Sequence, residues 1–165
     1  MAPLGGIAGR FLALHHGEGP LLQPNAWDPG SARVLESLGF EAIATTSSGF
    51  AATLGRPDGS ATRDEVLEHC SRLARAVGIP VAADTENGFA DDPAGVAETV
   101  ALACETGLAG CSIEDYTRPA DKIYDVGLAS ERIAAAAEAA HGGQVQLVLT
   151  ARAENHIRGH QELAD

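Results

Sequence analysis

Aromatic residues make up only 4% of the 165 positions, so the core cannot rest on stacked rings. Cysteine is scarcer still. Cys70, Cys104 and Cys111 stand far apart with no C-x-x-C spacing. That excludes the usual zinc and disulfide frameworks and leaves them as small buried hydrophobes. Basic side chains are few as well: 11 Lys and Arg face 23 Asp and Glu, a formal net charge of -12. Such a surface repels nucleic acid and anionic membranes. No apolar run approaches the roughly 18 residues of a membrane-spanning helix. Met1 to Arg10 is broken by glycine and lacks the basic start of a signal peptide, so a cytoplasmic protein is expected. What the chain does have is alanine and glycine in quantity within a 45% apolar composition. This predicts one globular domain over 1–165 with a core formed by close approach of backbones.

Glycines that end helical patterns just ahead of short apolar runs reveal a repeat. Gly39 precedes Phe40 to Thr46, Gly78 precedes Ile79 to Ala83, Gly107 precedes Leu108 to Ile113, and Gly142-Gly143 precede Val145 to Ala151. Leu21 to Trp27 reads as a first strand ahead of a helix from Ser31 to Leu38. Thr62-Arg63-Asp64-Glu65 is a capping box before a stripe of Val66, Cys70, Leu73 and Val77. Asp92-Pro93 opens the next helix, with Val96, Val100, Ala103 and Gly107 inward, and another is expected from about Ser130 through Ile133, Ala137 and Ala140. Strands alternating with helices imply an α/β fold with a parallel sheet and right-handed crossovers. The count is about five strands, against the eight strands and roughly 250 residues of a complete (β/α)8 TIM barrel. The expectation is therefore a partial barrel.

In such folds chemistry collects where strands end at their carboxyl side. Period-2 alternation puts Ala82, Asp84 and Glu86 on one face of the third strand, Gly110, Ser112 and Glu114 on one face of the fourth, and Thr150, Arg152 and Glu154 on one face of the fifth. Three carboxylates, Asp84, Glu86 and Glu114, would repel one another unless a cation sat among them. An all-oxygen donor set suits Mg2+, with Mn2+ as a substitute. The bland alternative makes each acid a solvated loop start or helix cap.

The ordered motifs Pro24-Asn25-Ala26-Trp27-Asp28, Thr46-Ser47-Ser48-Gly49, Leu54-Gly55-Arg56-Pro57-Asp58, Ala83-Asp84-Thr85-Glu86-Asn87-Gly88-Phe89, Ile113-Glu114-Asp115 and Thr150-Ala151-Arg152-Ala153-Glu154 resemble the isocitrate lyase and phosphoenolpyruvate mutase superfamily. The resemblance covers nearly the whole chain from about Phe11. It implies a TIM barrel in which Asp84 is the direct Mg2+ ligand while Glu86 and Glu114 hold the ion largely through its waters. It further implies that Ser47, Ser48 and Gly49 grip a substrate carboxylate, that Asp58 is the acid on the loop after the second strand, and that Arg152 binds the anionic substrate. The chemistry implied is C-C or C-P bond cleavage of a small α-keto acid through an enolate, in a homo-oligomer.

The sequence departs from that pattern in two places. The Lys-Lys-Cys-Gly-His loop of the C-C lyases reads Asp115-Tyr116-Thr117-Arg118-Pro119-Ala120-Asp121-Lys122-Ile123-Tyr124-Asp125 here, with no thiol. Lys122 becomes the candidate proton donor, with Tyr116 and Tyr124 as alternatives and a solvated lysine as the plain reading. The other departure is the end at Asp165, soon after the fifth strand. A chain stopping there would be a half-barrel with an open edge, and a non-catalytic protein that oligomerises or binds a partner through that edge is the competing expectation. His156 and His160 have the i, i+4 spacing of a metal pair, although ordinary surface histidines on a short helix explain it equally well.

Overall fold

The helices start where short polar side chains can take over the orphan amides of a first turn. The structure, a computed structural model, describes residues 5–117 and 122–159. Helix α1 (Gly6–His15) has no side-chain cap, whereas α2 (Pro29–Ser37) starts from a reciprocal Asp28 and Ser31 capping box. Thr46 caps α3 (Ser47–Thr53), and Thr62 with Glu65 forms the expected box before α4 (Arg63–Ala76). Asp92 caps α5 (Pro93–Cys104) by accepting from the Gly95 amide. The last helix, α6, spans Val126–Gly142 and not the region from about Ser130, because Asp125 accepts from the Leu128 amide and starts it a turn earlier. Gly39 and Gly107 take φ of +90° and +87°, the left-handed turn anticipated after α2 and α5.

Strands β1 (Asn25–Ala26), β2 (Ile43–Thr45), β3 (Val81–Asp84) and β4 (Gly110–Glu114) are joined by the last strand, β7 (Val148–Arg152), in one parallel sheet ordered β1-β2-β3-β4-β7. Two further short strands, β5 (Tyr116–Thr117) and β6 (Lys122–Ile123), pair antiparallel outside it. The five parallel strands and alternating helices expected from the repeat are all present. β3, β4 and β7 sit one to three residues further along the chain than their apolar runs imply. Ladder bonds are made by backbone, so pairing runs on through Asp84, Glu114 and Arg152 after the apolar stretch has ended.

Two layers of packing hold the sheet. Val81, Ala83, Cys111 and Ile113 face outward into a core with Val66, Cys70 and Leu73 of α4, Val96, Val100 and Ala103 of α5, and Ala136 and Ala140 of α6. Ala26, Ala32, Ala103, Ala136 and Ala140 are each 0% exposed, which is the small-residue core the composition predicts. The two cysteines in it, Cys70 and Cys111, have thiols pushed up to about 12 by burial, so they remain protonated and act as small hydrophobes. On the inner side, Phe11 of α1 packs on Ala42 and Ala109, with Ala82 and Val148 alongside. That helix was not foreseen, and it closes the amino-terminal end of the strands. The opposite end is left open. Among the described residues no helix is long and apolar enough to cross a membrane.

Candidate active site

The carboxyl ends of the strands converge on an open cavity of 470 Å3 whose lining includes Asn25, Thr45, Ser47, Ser48, Asp58, Asp84, Ser112, Glu114, Thr150, Arg152 and Glu154. Register explains the convergence. Asp84 is opposite Ser112, Ser112 is opposite Thr150, and Glu114 is opposite Arg152, so side chains of three adjacent strands project together.

Asp84 is held on several sides. Its Oδ2 accepts from the Ser47 amide at 3.0 Å and the Ser47 hydroxyl at 2.8 Å, and its Oδ1 accepts from the Glu86 amide at 3.2 Å. Its own amide donates to the Thr45 hydroxyl at 2.9 Å. The Thr46 cap makes residues 47 to 49, expected from the resemblance to grip a carboxylate, the first turn of α3 and aims the Ser47 amide at Asp84. Gly49 allows this fit because a Cβ there would lie 2.6 Å from Thr46 Cγ2 and 3.2 Å from Trp27 Cβ. The Ser48 hydroxyl lies 3.2 Å from that of Thr46.

Arg152 is the cationic centre. Its Nη1 lies 2.8 Å from Glu114 Oε1 and 3.8 Å from Asp84 Oδ1, and its Nη2 donates to Glu154 Oε1 at 2.8 Å. The other Glu154 oxygen pairs with Arg158 at 3.2 Å, and the Arg158 guanidinium stacks 3.7 Å from the Tyr116 ring centre. The Glu154 amide donates to Asp115 Oδ1 at 2.7 Å. Burial, followed by the charge of Asp84, pushes the Glu114 carboxyl up to about 7 despite the neighbouring guanidinium. Asp58, Asp84, Glu114 and Glu154 line the cavity together with Arg152 and Arg158.

Other expected site residues lie elsewhere. Glu86 is 8% exposed and lines a separate depression with Asn87, Phe89, Ala90 and Asp91. Its φ of +48° takes the chain out of the extended conformation, so the alternation that would set it beside Asp84 ends one residue too early. Lys122 is exposed on β6, paired with Thr117, and is not part of the cavity wall. Tyr124 bonds Asp91 and Asn87, His156 is exposed in the turn after β7, and His160 lies outside the described residues. Arg158 was missed by the sequence reading, although its i+4 spacing from Glu154 on a turn was a usable signal.

The cavity can be tested for a divalent cation from its own donors. Its carboxylates are hard oxygen ligands, and Asp84, Glu114 and Glu154 crowd around one guanidinium, that of Arg152. Among the described residues no three His, Cys, Asp or Glu side chains stand close enough to hold an ion directly. The arrangement therefore fits an ion bound by Asp84 with water completing its shell, and not a closed all-protein cage.

A profile described as Phosphoenolpyruvate phosphomutase matches residues 11–165. The chain belongs to that family. A solved candidate lyase/mutase from Burkholderia cenocepacia J2315 superposes with a TM-score of 0.91 at 49% identity, covering 95% of this chain and 57% of that one. A 2-methylisocitrate lyase from Halalkalibacterium halodurans is 34% identical over 114 residues, 68% of this chain and 38% of its own length. The structure of oxaloacetate acetylhydrolase in complex with the product oxalate matches with a TM-score of 0.82 at 28% identity, over 90% of this chain and 53% of that chain. This family member thus spans about half the length of relatives that are lyases, mutases and hydrolases of small carboxylates.

Proposed function

We propose that this chain supplies the metal-binding and carboxylate-binding half of a lyase or mutase site that acts on a small α-keto acid. One observation carries the reading: Asp84, Glu114 and Arg152, from the ends of three adjacent strands, meet in a single open cavity. Mg2+, or Mn2+ in its place, when bound supplies Lewis-acid charge to an oxyanion developing on the substrate. The rest falls to side chains. Asp84, fixed by Ser47, is the residue that would hold the ion directly, with Glu114 and, through water, Glu86 around it. The Ser47 and Ser48 hydroxyls and the Gly49 turn would receive a substrate carboxylate, Arg152 would orient its charge, and Asp58 would border the entrance. Lys122, on β6 and outside the cavity wall, is kept as the candidate proton donor.

The relatives support this class: one is named for 2-methylisocitrate, and another, named for oxaloacetate, is seen with the product oxalate. The test is calorimetric titration of oxalate, a flat dianion resembling an enolate, with and without Mg2+. Mg2+-dependent binding that disappears in Asp84→Ala is the expected result, and oxalate binding indifferent to both refutes it. A second reading, a non-catalytic half-barrel that self-associates, draws on Leu22, Trp27, Val34 and Leu38, which are 50% to 69% exposed. A folded oligomer in native mass spectrometry that takes neither Mg2+ nor oxalate would favour it.

A further inference from the structure

Arg132 of α6 is 1% exposed and heads the largest fully buried side chains, yet it lies outside the cavity wall. Charged groups are seldom buried this completely without a dedicated set of partners. Its Nη1 donates to the carbonyls of Ala90 at 2.9 Å and Asp91 at 3.0 Å, and its Nη2 donates to that of Asn87. Its Cζ sits 3.9 Å from the Tyr124 ring centre. The Tyr124 hydroxyl donates to Asp91 Oδ1 at 2.6 Å and accepts from Asn87 Nδ2 at 3.0 Å, while the Thr117 hydroxyl donates to the same Asp91 oxygen at 3.1 Å. From α5, the Thr99 hydroxyl donates to the Gly88 carbonyl at 2.7 Å. Side chains of two helices thus capture the carbonyls of Asn87, Gly88, Ala90 and Asp91.

This loop is the continuation of the acidic arm. It leaves Asp84 through Glu86 at φ +48° and Phe89 at φ +58°, a region that non-glycine residues enter only when their surroundings hold them there. A planar guanidinium can span three carbonyls at fixed angles, which an ammonium cannot. We propose that Arg132 is the positioning residue of the Asp84–Glu86 arm, locking the loop after β3 so that the Glu86 amide stays bonded to Asp84 Oδ1 and Asp84 keeps the position in the cavity at which a divalent cation would bind. The proposal rests on the metal reading above.

The test compares the native chain with Arg132→Lys, Arg132→Met and Tyr124→Phe, measuring Mn2+ affinity together with amide exchange across residues 86–91. Arg132→Met is expected to weaken Mn2+ binding about tenfold or more and to speed exchange in that loop, with Arg132→Lys recovering part of both. Native Mn2+ affinity in folded Arg132→Met, or unchanged exchange across the loop, overturns the proposal. Should Arg132→Met fail to fold, Tyr124→Phe decides, because it removes two of the network's hydrogen bonds and keeps the ring beneath the guanidinium. Unchanged affinity and exchange in Tyr124→Phe overturn the proposal equally. A native chain that binds no Mn2+ refutes the metal reading instead, and loop exchange alone then decides whether Arg132 is the lock.

Discussion

Arg152 Nη1 lies 2.8 Å from Glu114 Oε1, and the two residues are direct neighbours across the β4–β7 ladder. Because the same guanidinium also pairs with Glu154, one cation serves a carboxylate on β4 and another just beyond the end of β7. In the proposed site it is also the group that orients an anionic ligand.

Arg152→Met should therefore cut oxalate affinity by about 10- to 150-fold, since a hydrogen bond to a charged group contributes roughly 1.5 to 3 kcal/mol. Calorimetry in saturating Mg2+ reads this directly. A dissociation constant within threefold of native would show that the arginine serves only its carboxylate neighbours.

Ser47→Ala removes the hydroxyl donor to Asp84 Oδ2 and leaves the backbone donor in place. The expected stability loss is about 1 kcal/mol by urea unfolding, with a fall in oxalate affinity of roughly fivefold to tenfold, equivalent to about 1 to 1.4 kcal/mol. An unaltered affinity would mean the amide alone orients Asp84.

At Gly49 a methyl group meets the Thr46 and Trp27 side chains. Gly49→Ala is predicted to destabilise the fold by about 1 to 3 kcal/mol through overpacking, lowering the melting temperature. A variant as stable as native would show that α3 shifts freely, and the Ser47–Asp84 contact would then not be rigidly placed.

His69 stacks on Phe50 with ring centres 4.0 Å apart, and burial pushes its pKa down to about 4 from 6.5. Its Nε2 is buried and, among the described residues, has no hydrogen-bond partner. The unfolded chain takes up a proton below pH 6.5 that the folded chain refuses until about pH 4. Stability therefore falls as pH drops through this window, by an amount on the order of 2 kcal/mol. His69→Phe, neutral at every pH, should lose about 1 to 2 kcal/mol less than native between pH 7 and pH 5 in urea unfolding. Identical pH slopes for the two proteins would refute the assignment.

Much of this architecture was written locally. The Thr62–Glu65 box and the Asp92 cap are bonds between residues three apart. The alternation that brings Asp84, Glu114, Arg152 and Glu154 to one face needs nothing but an extended backbone. Glu86 does not follow that rule into the cavity wall because its backbone is not extended. Helix α3 was not anticipated because seven residues rich in serine and glycine carry no helical stripe.

What the chain order alone determined is the repeat: the five parallel strands with helices α2, α4, α5 and α6 between them, and which acids and arginine emerge at the strand ends, since both follow from backbone periods and short-range caps. Only the tertiary structure decided the direction of Glu86 and the burial of Arg132. Both depend on carbonyls of the 87–91 loop meeting a guanidinium some forty residues further on, and a long-range contact of that kind leaves no mark in local spacing.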